Sequence, residues 1–211
     1  MPVLLFGFEP FLEFDENPTQ LLVRRLDART IGGQRVTGVV LPVDYERAGK
    51  SIMKAIDRVK PELVIGFGLA AGRERITPEK VALNYRSAEK VDNSGKRMAG
   101  SPIDRSAPDA LFTNLPVEGL VASLNEHGIP ASLSLSAGSY VCNTAMFVIV
   151  REAKGRGFAG GFVHVPCHSE WIAKKKRQTP SLPLETLQRG AEHCVAHCLR
   201  RASRRAHQNH T

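Results

Sequence analysis

The chain has 211 residues, 42% hydrophobic and 24% charged, with a formal net charge of +8. That length suits one good core within a single domain, and no run of about 18 apolar residues offers a membrane span. Nine Lys/Arg against two Glu between residues 174 and 205 carry almost all the positive excess. It reads as a solvated loop, Lys174-Lys175-Lys176-Arg177, and a basic helix end from Arg200 to Arg205, which suits the helix dipole. No nucleic-acid motif accompanies it, so neither nucleic acid nor membrane is expected as a partner.

The N-terminal residues 1–7 enter an apolar segment with no basic region before it and Glu9 close behind. This reads as a first buried strand at 3–6 rather than a signal peptide. Residues 19–26 have helical spacing, with Leu21, Leu22 and Leu26. Residues 35–43 alternate and are β-branched, a strand ended near Pro42. Residues 45–59 place Ala48, Ile52, Ala55, Ile56 and Val59 on one helical face. A continuous apolar strand at 62–67 is followed by a loop starting at Gly68, and a short strand is expected at 80–84. The stretch 87–115 is rich in Gly, Pro, Asp, Asn and Ser and reads as one long irregular excursion, of the kind that serves function or packs on a partner subunit.

A helix at 115–126 is closed by Gly128. A strand at 131–136 leads into Ser136-Ala137-Gly138-Ser139-Tyr140-Val141-Cys142, and an apolar helix covers 142–152. A strand at 161–165 and an amphipathic helix at 182–202 complete the pattern. Alternation of β and α argues for a three-layer α/β/α sandwich around a largely parallel, mixed sheet. One domain is expected over 1–202, with a basic polar tail at 203–211.

The cysteine turn carries the most chemistry. A small-residue turn delivers Cys142 to a helix N-terminus, where unpaired N–H groups and the helix dipole favour a thiolate. A small buried core residue is the plain alternative. The other cysteines, Cys167, Cys194 and Cys198, suggest no disulfide framework, so a reduced, cytoplasmic setting is expected. A thiol nucleophile needs a base, and the base needs an orienting group. Of seven histidines, His207 and His210 fall in the tail, His193 and His197 flank the last helix, and His127 precedes Gly128. His164, near the carboxyl end of a strand, and His168, past a proline, stay open, with His164 preferred because ligands bind at such strand ends. Glu79, just ahead of the expected strand at 80–84, is a candidate acid, though a lone glutamate is more often a surface group.

These residues carry a family resemblance. G-F-E-P-F at 7–11 with Asn17-Pro18, G-L-A-A-G-R…I-T-P-E-K-V-A-L-N at 68–84, and S-L-S-A-G-S-Y-V-C-N at 134–143 followed by F-V-H-V-P at 162–166 are similar to pyroglutamyl peptidase type I, a cysteine peptidase family. Weaker matches continue at 92–96, 101–103 and 181–187, and the resemblance spans about 3–200. It implies Cys142 as nucleophile, His164 as general base and Glu79 as the carboxylate that orients it. It implies peptides with an N-terminal pyroglutamate as substrate, no cofactor, no metal, and a homo-oligomer, often a tetramer. It also implies that Phe8 and Phe11 sandwich the lactam ring. Backbone at Leu69, Ala70 and Ala71 is expected to supply the oxyanion hole and lactam contacts.

Three departures stand out. Glu89 occupies a position where the family usually has arginine, Leu12-Glu13 replaces Gly-Gly, and Ser169-Glu170-Trp171 replaces P-E-Q. Trp171 is expected to affect access for the residue after pyroglutamate. Two rival readings are a catalytically silent binding protein that keeps the fold, and a metal site at His193-Cys194 and His197-Cys198. In the second, the cysteines continue the apolar stripe while the histidines sit beside it, so the four cannot converge.

Overall fold

The computed structural model describes residues 2–208, with side chains described as far as residue 200. In chain order the elements are β1 (Val3–Phe8), α1 (Pro18–Leu26), β2 (Thr30–Ile31), β3 (Gln34–Leu41), α2 (Arg47–Val59), β4 (Leu63–Leu69), β5 (Thr77–Leu83), β6 (Arg86–Ala88), β7 (Met98–Ser101) and β8 (Ala110–Phe112). Then come α3 (Val117–Glu126), β9 (Ser134–Ser136), α4 (Val141–Arg156), β10 (Ala159–Val165), β11 (Cys167–His168), α5 (Ser169–Lys175), β12 (Ser181–Leu182) and α6 (Leu184–Gln208).

The main sheet runs β2-β3-β1-β4-β10-β5-β8, with β9 alongside β5. Strands β3, β1, β4 and β10 are mutually parallel, and β9 is parallel to β5. Antiparallel pairs join β2 to β3, β5 to β10 and β5 to β8, so the sheet is mixed, as expected. Strands β1, β4 and β10 are apolar along their length because helices cover both faces, which is what central parallel strands require.

The period-two pleat sorts the core into two layers. Val3, Leu5, Ile65, Phe67, Val163 and Val165 pack with α1, α3 and α6. Leu4, Phe6, Phe8, Val64 and Phe162 pack with α2 and α4 on the other face. Helix α4 is buried on nearly every side, which explains its apolar sequence and fixes its N-terminus inside the molecule.

Several sequence expectations shift. Phe8 ends β1 rather than opening a loop, and Glu79 lies inside β5, not ahead of a strand. The loop after β4 begins at Ala70 instead of Gly68. The 87–115 stretch contains β7 and β8, with β6 and β7 forming a hairpin. Helix α6 continues to Gln208, into the expected tail; the reading of His210 lies outside the described residues, as does that of the His207 side chain.

Candidate active site

The parallel strands bring their carboxyl ends to one edge. His164 on β10 lies opposite Gly68 on β4, and Val165 opposite Leu69. Gly68 is needed there, because a Cβ would stand 2.9 Å from His164 Cδ2 and 2.8 Å from Phe162 Cε1. The imidazole is 4% exposed, and its Nδ1 is 2.7 Å from Glu79 Oε1. Glu79 is completely buried. Its strand pairs Glu79 with Ser134 of β9, the strand that leads into the cysteine turn.

A guanidinium completes this cluster. Arg73 Nη1 donates to the same Glu79 Oε1 at 2.7 Å and also to Thr77 Oγ1. The Ala70–Arg73 turn sets its direction: Arg73 N–H donates to Ala70 C=O at 3.1 Å, and Gly72 takes φ +91°, a value that glycine alone adopts without strain. The Ala70 N–H donates to Val165 C=O, so that amide belongs to the sheet and is not available to a ligand. Arg73 lies within the 68–84 motif without a role of its own in the sequence; its place six residues before Glu79 is the signal that points to it.

Burial opposes ionisation at Glu79, yet hydrogen bonds and charge from His164, with the Ser134 hydroxyl and Arg73, hold its carboxyl below the usual range. As a carboxylate it only accepts, so His164 carries its proton on Nδ1 and leaves Nε2 as the basic nitrogen. Burial lowers the pKa of His164 more than Glu79 raises it, and the ring is neutral at pH 7. Burial likewise pushes the Cys142 thiol up to about 12, helped by the Glu79 charge and opposed by Arg73. The sequence favours a thiolate at this helix terminus; in the unliganded site desolvation outweighs the dipole, and the thiol keeps its proton.

Cys142 is the second residue of α4, and Tyr140 caps the helix with extended backbone. Asn143 and Thr144 N–H groups already donate to Tyr140 C=O, which leaves the Val141 and Cys142 amides as the helix-terminal donors. Asn143 fixes the helix start from the other side, its side chain bonding Leu83 N–H and the Leu83 and Tyr85 carbonyls.

Phe8, Phe11, Asn17, Val43, Leu69, Tyr140, Val141 and Cys142 line a small apolar pocket. Asn17 holds its rim together: Oδ1 caps α1 at Thr19 N–H and Nδ2 donates to Glu9 C=O, while Thr19 Oγ1 accepts from Phe8 N–H. Such a cap contributes about 1 kcal/mol to the helix. Phe11 packs on Phe14 at 5.6 Å and Tyr140 at 6.2 Å.

His168 sits elsewhere, with Nδ1 3.3 Å from Glu170 and Nε2 3.6 Å from Glu16. Cys194 and Cys198 are buried in the core, and His193 bonds Ser123 Oγ at 2.9 Å, so the residues of the metal reading do not converge. Trp171 is 2% exposed and packs with Phe14, Leu69, Cys167 and Ile172. Any effect of Trp171 on access for the residue after pyroglutamate therefore passes through these neighbours rather than through an exposed ring. Glu89 is exposed, although its neighbours reach the cysteine turn through Ser87 N–H to Ser139 C=O and Tyr140 Oη to Val91 C=O.

A thiol at a helix N-terminus, on the edge of a mixed α/β sheet where a buried imidazole and carboxylate meet, is the equipment of a cysteine-type hydrolase, and the chain falls in that class. A family model described as pyroglutamyl peptidase matches residues 1–201. Pyrrolidone-carboxylate peptidase 1 of Saccharolobus solfataricus is 54% identical over 190 residues, covering 90% of each chain. Pyrrolidone carboxyl peptidase from Pyrococcus furiosus superposes with a TM-score of 0.92 at 36% identity, over 95% of this chain and 99% of that one. The enzyme from Thermococcus litoralis gives 0.92 at 35%, over 96% and 95%. The chain belongs to the pyroglutamyl peptidase family.

Proposed function

We propose that this chain removes N-terminal pyroglutamate from peptides, with Cys142 as nucleophile, His164 as general base and Glu79 as its orienting carboxylate. The observation that carries this reading is the buried 2.7 Å contact between His164 Nδ1 and Glu79 Oε1, at the sheet edge that also holds the apolar pocket of Cys142. A pyroglutamyl end is a neutral lactam with no ammonium to pair, which suits walls of Phe8, Phe11, Val43, Leu69 and Tyr140.

The resting pair is neutral, so proton transfer accompanies attack. His164 Nε2 takes the Cys142 proton as the sulfur bonds to the pyroglutamyl carbonyl carbon. The oxyanion faces the N–H groups of Val141 and Cys142 at the positive end of α4, with Ala71 N–H a further candidate. Glu79 stabilises the imidazolium, which then gives its proton to the departing amine as the C–N bond breaks. Water, deprotonated by His164, attacks the thioester; pyroglutamate leaves and the thiol is restored.

Four free cysteines suit the reduced, cytoplasmic setting expected from the sequence, and no helix among the described residues is long and apolar enough to cross a membrane. Exposed Phe112, Leu133 and Leu135 on and beside β8 and β9 offer apolar surface to the expected homo-oligomer, which sedimentation velocity reads directly.

The test is release of a fluorogenic amine from a pyroglutamyl-amide under reducing conditions, in wild type and Cys142→Ala. Release in the first and none in a folded second is expected. No release by folded wild type, or wild-type release by Cys142→Ala, would overturn the reading.

A further inference from the structure

We propose that Arg73 is a positioning residue for hydrolysis, holding Glu79 against His164 and offsetting the carboxylate charge beside Cys142. The proposal rests on the hydrolytic reading above and adds a fourth member to it.

The geometry is specific. One oxygen of a fully buried carboxylate receives both His164 Nδ1 and Arg73 Nη1 at 2.7 Å. The guanidinium is anchored a second time at Thr77 Oγ1, two residues before Glu79 on β5. Thr77 Oγ1 in turn lies 3.5 Å from the His164 carbonyl, so the arginine ties together the two strands that carry the base and the acid. The turn with Gly72 at φ +91° points the side chain inward, although Arg73 remains one-third exposed. A surface arginine with no task would extend into solvent, where a single ion pair is worth little. Here the partner cannot reach solvent at all.

The charges around the site fix the sign of the effect. His164 faces Glu79 and Arg73; Cys142 faces the same two, with Tyr45 and Tyr140 near enough to feel its charge and Asp92 behind those phenols. Arg73 is the positive group that acts on both reacting residues. It lowers the proton affinity of the Cys142 thiol and of the His164 ring together. Without it, the Glu79 charge would act on the thiol uncompensated, the thiolate would be harder to form, and the imidazole would hold its proton to higher pH. Both effects move the acid limb of activity upward.

The experiment measures pH profiles of two rates: kcat/KM on a pyroglutamyl-amide, and alkylation of Cys142 by iodoacetamide followed on its own peptide by mass spectrometry. Both acid limbs follow His164, whose Nε2 takes the thiol proton in acylation and in alkylation, and in Arg73→Met they are expected to rise by about one pH unit, the lower end for removing a charge this close, because the guanidinium is partly solvated. Arg73→Lys keeps the charge and is expected to recover more than half of that shift. If Arg73→Met does not fold, Arg73→Gln, which keeps an N–H donor toward Glu79, replaces it with the same expected shift. A folded charge-removing variant whose alkylation limb stays at the wild-type pH would overturn the proposal. So would an equal shift in Arg73→Lys, since charge would then not be the cause. Failure of the hydrolytic reading is separate: it appears as an inactive wild type or an active Cys142→Ala.

Discussion

His164 and Gly68 lie opposite each other in register across β10 and β4, and a single methyl on Gly68 would stand 2.9 Å from the imidazole Cδ2. The same methyl would meet Phe162 at 2.8 Å, so the ring cannot retreat that way. Gly68→Ala is therefore expected to tilt the base out of line. Overpacking of this kind costs about 1–3 kcal/mol of stability. A displacement near 1 Å costs about 10²-fold in rate. Thermal unfolding and kcat check the two parts together; a wild-type kcat would show that the ring keeps its place and that Gly68 serves packing alone.

Glu79→Gln keeps the shape of the side chain and removes its charge. Because Arg73 Nη1 and His164 Nδ1 donate to the same oxygen, the amide keeps its oxygen there and the imidazole keeps its tautomer. What is lost is the charge that stabilises the imidazolium, and kcat is expected to fall within the range of about 10²–10⁴-fold that positioned acid–base catalysis contributes. KM is expected to stay near wild type, because Glu79 lines no part of the apolar pocket beside Cys142. Steady-state kinetics on a pyroglutamyl-amide separates the two constants.

The same buried pair sets a pH window for stability. Burial, outweighing the pull of Glu79, places the folded pKa of His164 below its ordinary 6.5, so the unfolded chain binds this proton more readily than the native one. A lowered histidine contributes stability that is complete above 6.5 and is lost as pH falls toward the folded pKa. Glu79 is also lowered, against the opposing effect of burial, and its share is lost further down, below 4.5. Unfolding free energy is therefore expected to drop on acidification from 6.5, with a slope of up to about 1.4 kcal/mol per pH unit for each proton. In His164→Gln the slope between 6.5 and 5 becomes shallower by up to one proton, with His193 supplying part of the remainder. Denaturant titrations across that range measure it.

The departure at Leu12 also leaves a mark. Leu12 takes φ +52°, a left-handed conformation that glycine adopts freely, and the family resemblance places glycine there. A non-glycine residue in this region carries about 1–2 kcal/mol of strain. Leu12→Gly is expected to leave stability unchanged or raise it slightly, because relief of strain is offset by the entropy of a freer unfolded chain. An appreciable fall in Tm would mean that the half-exposed leucine side chain contributes packing of its own.

What was legible in the sequence follows physical lines. Strands β1, β4 and β10 bury both faces, so their apolar runs announce them, and α2 shows its core stripe directly. Strand β5 is harder: TPEKVAL carries a proline and two charges, and Glu79 is buried where His164 meets it from a distant strand and Arg73 from the turn just before β5. The strands β7 and β8 are four and three residues long, too short for periodicity to register. The Cys142 thiol exposes the limit of local reasoning most clearly. A helix N-terminus is visible in sequence and lowers a pKa, whereas the burial that raises it depends on the whole fold.

The sequence expects Trp171, after the histidine strand, to affect access for the residue after pyroglutamate. Its ring lies 5.2 Å from Phe14, which lies 5.6 Å from Phe11 at the pocket. Its Nε1–H donates to Asp15 Oδ1 at 2.6 Å, Lys175 holds the other oxygen of Asp15 at 2.6 Å, and Arg177 stacks on the indole at 4.9 Å. The indole thus clamps the 11–16 loop that presents Phe11, while Cys142, His164 and Glu79 are held by other elements. Trp171→Phe removes the indole donor and part of the volume and is expected to destabilise by about 1–3 kcal/mol. KM is expected to rise several-fold with kcat close to wild type, the signature of weakened binding common to ground and transition states. Because the effect acts through Phe11 on the apolar pocket proposed for the lactam, it should be equal for a pyroglutamyl-amide and for pyroglutamyl dipeptides. A change confined to some leaving residues would instead put Trp171 at the leaving-group side, and parallel kinetics on the two substrate types decides between them.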